Sequence, residues 1–99
     1  MATGNAHILH ASMRKRESTL HARKRMAQRA IGQSEVDLIL AFGHREHDGR
    51  GGTRVLMTHA ALDRLRRAVG HTSQVDRLAG KYVVLGNDGA VVTVGHLYS

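Results

Sequence analysis

Ninety-nine residues without cysteine or proline make one domain that has no disulfide framework and no thiolate for metal binding or nucleophilic chemistry. Fifteen Lys and Arg oppose eight Asp and Glu, and the net charge of +7 points to an anionic partner. No apolar run reaches the length of a membrane span, and the first twelve residues lack the apolar core of a secretory signal; a cytoplasmic protein with no membrane partner is therefore expected.

The charge is unevenly placed. Arg14, Lys15, Arg16, Arg23, Lys24, Arg25 and Arg29 face only Glu17 among the first 31 residues, while the remaining 68 are nearly balanced. Residues 1–16 read as a flexible basic arm, and 17–99 as a single domain. The only aromatic residues are Phe42, Tyr82 and Tyr98, too few for a base-stacking surface, so contacts to nucleic acid are expected to run through phosphates.

A first helix is predicted from Ser18 or Thr19 to Ile31. Its apolar face is Leu20, Ala27, Ala30 and Ile31, with Ala22 and Met26 at the margin, and Gly32 follows as the C′ residue. On this helix His21, Arg25 and Arg29 form a column at i, i+4, i+8. Like charges so spaced repel by a few tenths of a kcal/mol, a local cost that a bound phosphate relieves. His21 is then a candidate proton donor or acceptor beside that phosphate. A solvated basic face with an idle histidine is the alternative reading of the same column.

Ser34, with Asp37 three residues on, predicts the start of a second helix, Glu35 to Phe42, that buries Val36, Ile39, Leu40 and Phe42 and stops at Gly43. The run His44–Asp48 reads as a polar edge strand, Gly49–Gly52 as a turn, and Thr53–Thr58 as its returning partner. His44, Glu46 and Asp48 share one face of that strand without any recognised ligand spacing, so neither metal nor other cofactor is expected. A third helix is predicted over His59–Val69. Thr58 is its N-cap and Ala61, Leu62, Leu65 and Val69 point inward. A further turn follows from Ser73 to about Leu78. The last hairpin pairs Tyr82–Leu85 with Ala90–Val94 across Gly86–Gly89. Strands apolar on both faces are expected to be central and covered on both sides. If the last strand continues, His96 and Tyr98 point with Val94, and Thr93 and Leu97 point the other way.

The element order predicts an α+β fold: a mainly antiparallel four-stranded sheet with N-terminal helices and a helical crossover packed on it. Neither a P-loop or Rossmann glycine loop nor a serine-hydrolase elbow is present.

The run His21-x-x-x-Arg25-Met26-x-x-Arg29-x-Ile31-Gly32, with Ser34-Glu35-Val36 after it, resembles the start of a small bacterial domain-of-unknown-function group. That group is similar to the BrnT and RelE type toxins of the barnase–EndoU–colicin–RelE-like fold. The closing Gly89-Ala90-Val91-Val92-Thr93-Val94 with Tyr98 resembles the group's last hairpin. The likeness covers roughly residues 18–43 and 81–98. It implies an RNA-directed protein, in active members a metal-independent endoribonuclease toxin neutralised by an antitoxin-like partner. The reaction is attack of a 2′-OH on the adjacent phosphate, which needs a base, an acid and cations on the phosphorane oxygens. His21, Arg25, Arg29, Thr93 and His96 map onto the shared pattern. The resemblance makes His21 and His96 the catalytic candidates, with Arg25, Arg29 and Thr93 on phosphate. The alternative function is a non-enzymatic module, of the kind phages and mobile elements encode, that binds nucleic acid or an acidic protein. A charge that serves solubility alone fits poorly with its confinement to residues 14–29.

Overall fold

Thr19 sets the start of the first helix. Its hydroxyl oxygen accepts from the Ala22 N–H at 3.1 Å, and α1 runs Leu20–Gln28. The structure, a computed structural model, describes residues 18–97; the basic arm read over residues 1–16, and Tyr98, lie outside the described residues.

Two hydrogen bonds and one backbone torsion close α1. The Ile31 N–H donates to the Met26 carbonyl at 2.9 Å, the Ala30 N–H donates to Ala27 at 3.3 Å, and Ala30 adopts a left-handed φ of 53°. This is a Schellman motif with alanine at the position usually held by glycine. Gly32 is therefore not the C′ residue. It has extended backbone and is the N-cap of α2, Gln33–Phe42, where the Glu35 carboxylate accepts its N–H at 3.1 Å. Ser34 lies inside the helix and Asp37 plays no capping part. Glu35 replaces the Ser34–Asp37 box because a glutamate at the third helical position reaches back to the cap N–H more readily than a shorter aspartate.

The buried face of α1 also differs from expectation. Ala22 is fully buried and Met26 packs on the core, whereas Leu20 is 64% exposed and Ala27 and Ala30 face solvent. The cause is the docking of the helix. The Thr19 N–H donates to the Val91 carbonyl at 3.0 Å and the Thr19 hydroxyl to that of Val92 at 3.5 Å, which fixes the rotation of α1 before its larger side chains have a say.

The last carbonyls of α2 receive cationic donors. Arg45 donates to the Leu40 carbonyl at 3.2 Å and Arg64 to that of Phe42 at 3.1 Å. Gly43 turns the chain into the sheet against the Ile39 carbonyl and Val55.

Strands β1 (His44–His47), β2 (Thr53–Leu56), β3 (Lys81–Leu85) and β4 (Val91–His96) form one antiparallel sheet in the order β1-β2-β3-β4. In the first hairpin a single oxygen, Asp48 Oδ1, accepts from the N–H groups of Arg50 and Gly52 at 2.7 and 2.9 Å. Helix α3 (His59–Val69) is capped by Thr58 as expected. Helix α4 (Ser73–Asp76) is capped by Thr72 rather than Ser73. These helices carry the chain from β2 to β3.

β1 is an edge strand, but so is β4, which the sequence reading made central. Helix α1 lies beside β4, and Ser18 makes an isolated parallel bridge to Val91. The register puts Val55, Val83 and Val94 in one row, and with Leu85 and Val91 they meet the buried residues of all four helices in a single core. The row Glu46, Arg54, Val84 and Thr93 occupies the other face and is only half-buried. Among the described residues these apolar strands are therefore sealed on one face, that of Val55, Val83 and Val94, and half-buried on the other. No helix among the described residues is long and apolar enough to cross a membrane.

Candidate anion-binding cleft

The column on α1 begins in its first turn and ends on its cap. His21 is exposed, Arg25 is half-buried and donates to Gln28 Oε1 at 3.3 Å, and Arg29 is the C-cap residue. A rise of 1.5 Å per residue puts His21 and Arg29 about 12 Å apart along the helix axis. Among the described residues, no ion pair engages Arg23, Lys24, Arg25 or Arg29. Some of the later cations are paired. Arg54 pairs with Glu46 at 3.3 Å, and Arg66 pairs with both Asp63 and Asp76, at 3.3 and 2.7 Å.

The far end of α1 opens into a cleft of about 220 Å³ lined by Gln28, Arg29, Ile31, Lys81 and His96. Helix α1 thus runs along β4 in the direction of that strand, from Thr19 beside Val91 to Arg29 beside His96. His96 pairs with Lys81 across the β3–β4 ladder, on the same face as Val94. Its Nε2 lies 3.2 Å from the Ala79 carbonyl. A carbonyl only accepts, so Nε2 carries the proton and donates.

Lys81 Nζ is 2.7 Å from Glu35 Oε1. Burial alone would raise the Glu35 pKa. The hydrogen bonds from Lys81 and the Gly32 N–H, with the charges of Lys81 and Arg77, outweigh it and leave the carboxyl below its ordinary value. Lys81 therefore enters the cleft wall already paired with a carboxylate.

The five candidates occupy different places. Arg29 and His96 share the cleft. Arg25 stands one turn before it and does not line it. His21 stands two turns before it, at the opposite end of α1. Thr93 lies on the other face of the sheet from His96, in the row of Glu46, Arg54 and Val84, so one phosphate in the cleft cannot meet both Thr93 and His96. On the His44–Glu46–Asp48 face, Glu46 is held by Arg54 and Asp48 by its own turn.

Sequence reasoning missed Lys81 and Gln28. The signal for Lys81 was present: a hairpin turning at Gly86–Gly89 puts the start of one strand opposite the end of the other, and so Lys81 opposite His96. Comparison with protein-family models, curated proteins and solved structures finds no match to this chain.

Proposed function

We propose that the chain is an RNA-directed, polyanion-binding protein that holds backbone phosphates along Arg25 and Arg29 and into the cleft beside Lys81 and His96. The observation that carries this reading is the lack of acidic partners, among the described residues, for the cations of a helix whose end opens into a cleft bearing two further basic side chains. Unneutralised cations at i, i+4 spacing repel one another and gain from a ligand of opposite charge.

Binding is better supported than turnover. Cleavage through a 2′-OH needs a base and an acid within hydrogen-bond reach of two oxygens on one phosphorus. His21 stands at the start of α1, outside the cleft at its far end that His96 lines. Ribonuclease activity of the RelE-like kind is the second reading, favoured by one feature: the His96 imidazole lies beside Arg29 and Lys81, two cations suited to phosphorane oxygens.

The test is the affinity for single-stranded RNA as salt is varied. The logarithm of the binding constant should fall linearly with the logarithm of salt. Arg25→Ala and Arg29→Ala should each flatten the slope by about 0.7, the share of one phosphate contact on a single strand. Salt-independent binding, or variants indistinguishable from the parent, would overturn the proposal. RNA cleavage that disappears in His96→Ala would favour the second reading.

A further inference from the structure

Lys81 and Glu35 also line a second depression, of about 510 Å³, where α2, the end of α3, α4 and the start of β3 meet. Its size is that of a small-molecule site. One part of its wall is apolar: Leu38 is half-buried, Val75 belongs to the core, and Val69 is 52% exposed although it closes an amphipathic helix. The other part is charged. Glu35 and Lys81 neutralise each other at 2.7 Å, whereas Arg77 adds a cation that acts on Glu35 and has no ion pair among the described residues.

The geometry points to a binding site for a small amphipathic carboxylic acid, with its tail against Leu38, Val69 and Val75 and its carboxylate on Arg77. The charge arithmetic selects the ligand class. Arg77, Lys81 and Glu35 sum to one positive charge, which a monocarboxylate cancels and an amine increases. The apolar wall requires a tail, since Val69 and Leu38 lose exposed apolar surface only when one covers them. Lys81 lines both depressions, but the residues that select this ligand, Arg77 and Val69, lie outside the Arg29–His96 cleft, so the site does not rest on RNA binding.

Titration of the full ¹⁵N-labelled chain with octanoate, acetate and octylamine is the test. Octanoate should give saturable amide shifts centred on Val69, Val75 and Arg77. Acetate should bind at least tenfold more weakly, and octylamine should give no shifts there. Arg77→Gln and Val69→Asp should each weaken octanoate at least tenfold. Both positions are exposed, so the remaining resonances should report an intact fold. Octylamine binding as tightly as octanoate, Arg77→Gln without effect, or no saturable shift would each overturn the proposal. So would binding of a leucine-terminated peptide without binding of octanoate.

Discussion

Lys81 and Glu35, 46 residues apart in the chain, meet at 2.7 Å and tie the start of β3 to the first turn of α2. The same carboxylate accepts the N–H of Gly32, so one side chain both caps a helix and fastens it to the sheet. The Lys81 and Glu35 side chains are 12% and 26% exposed, between a surface pair and a buried one.

Glu35→Gln is expected to destabilise the fold by about 1–2 kcal/mol, since water at Glu35 screens the pair and the amide oxygen still accepts from Gly32. Chemical denaturation at neutral pH measures this. The sign with pH follows from the lowered Glu35 pKa. A group depressed in the folded state contributes its stability in full above its unfolded value, about 4.5, and loses it as pH falls through the folded value. Asp48, held by the N–H groups of Arg50 and Gly52, and Asp76, held by Arg66, are lowered too and act in the same direction. Stability should therefore fall below pH 4.5, and less steeply in Glu35→Gln. Parallel curves for parent and variant would contradict this.

Ala30→Gly should stabilise. Ala30 bears a left-handed φ of 53° at the Schellman position, where a Cβ costs about 1–2 kcal/mol, and glycine's looser unfolded chain returns part of that gain. A net gain of about 0.5–1 kcal/mol should raise Tm by roughly 2–6 °C. An unchanged or lowered Tm would show that this turn is not held as described.

Gly43→Ala should do the opposite. An added Cβ would stand 2.5 Å from the Ile39 carbonyl and 2.7 Å from Val55 Cγ1, and neither atom is a flexible tip. Overpacking between α2 and β2 should cost about 1–3 kcal/mol in the same denaturation experiment.

Gly95→Ala probes the other face of the sheet. A Cβ there would strike the Tyr82 ring, which lies over Gly95 with the Arg54 guanidinium 6.0 Å from its centroid. The substitution should destabilise the parent, and cost less in a Tyr82→Ala background, where the obstructing ring is gone. Additive effects in that cycle would show that Tyr82 does not occupy this place.

Much of the architecture was legible from residues close in sequence. The Thr58 cap, the turn at Gly49–Gly52, the hairpin at Gly86–Gly89 and the order of helices and strands all follow from hydrogen bonds and turn chemistry spanning a few residues. So does the column His21, Arg25, Arg29, which is a property of helical spacing. The start of α2 was misplaced by two residues because Ser34 is the commoner cap type, while the cap that formed is a glycine served by Glu35.

The uneven placement of charge and the α+β class were determined by the sequence alone, because composition and short-range periodicity carry both. Only the tertiary structure decided which side of α1 is buried, since hydrogen bonds from Thr19 to Val91 and Val92, more than seventy residues away, turn Ala22 and Met26 inward. It likewise decided that Arg29 meets His96 and that Lys81 stands between the cleft and the larger depression. Those relations depend on how a helix docks beside a strand and on which residues pair across a ladder, and neither is encoded within a single segment of chain.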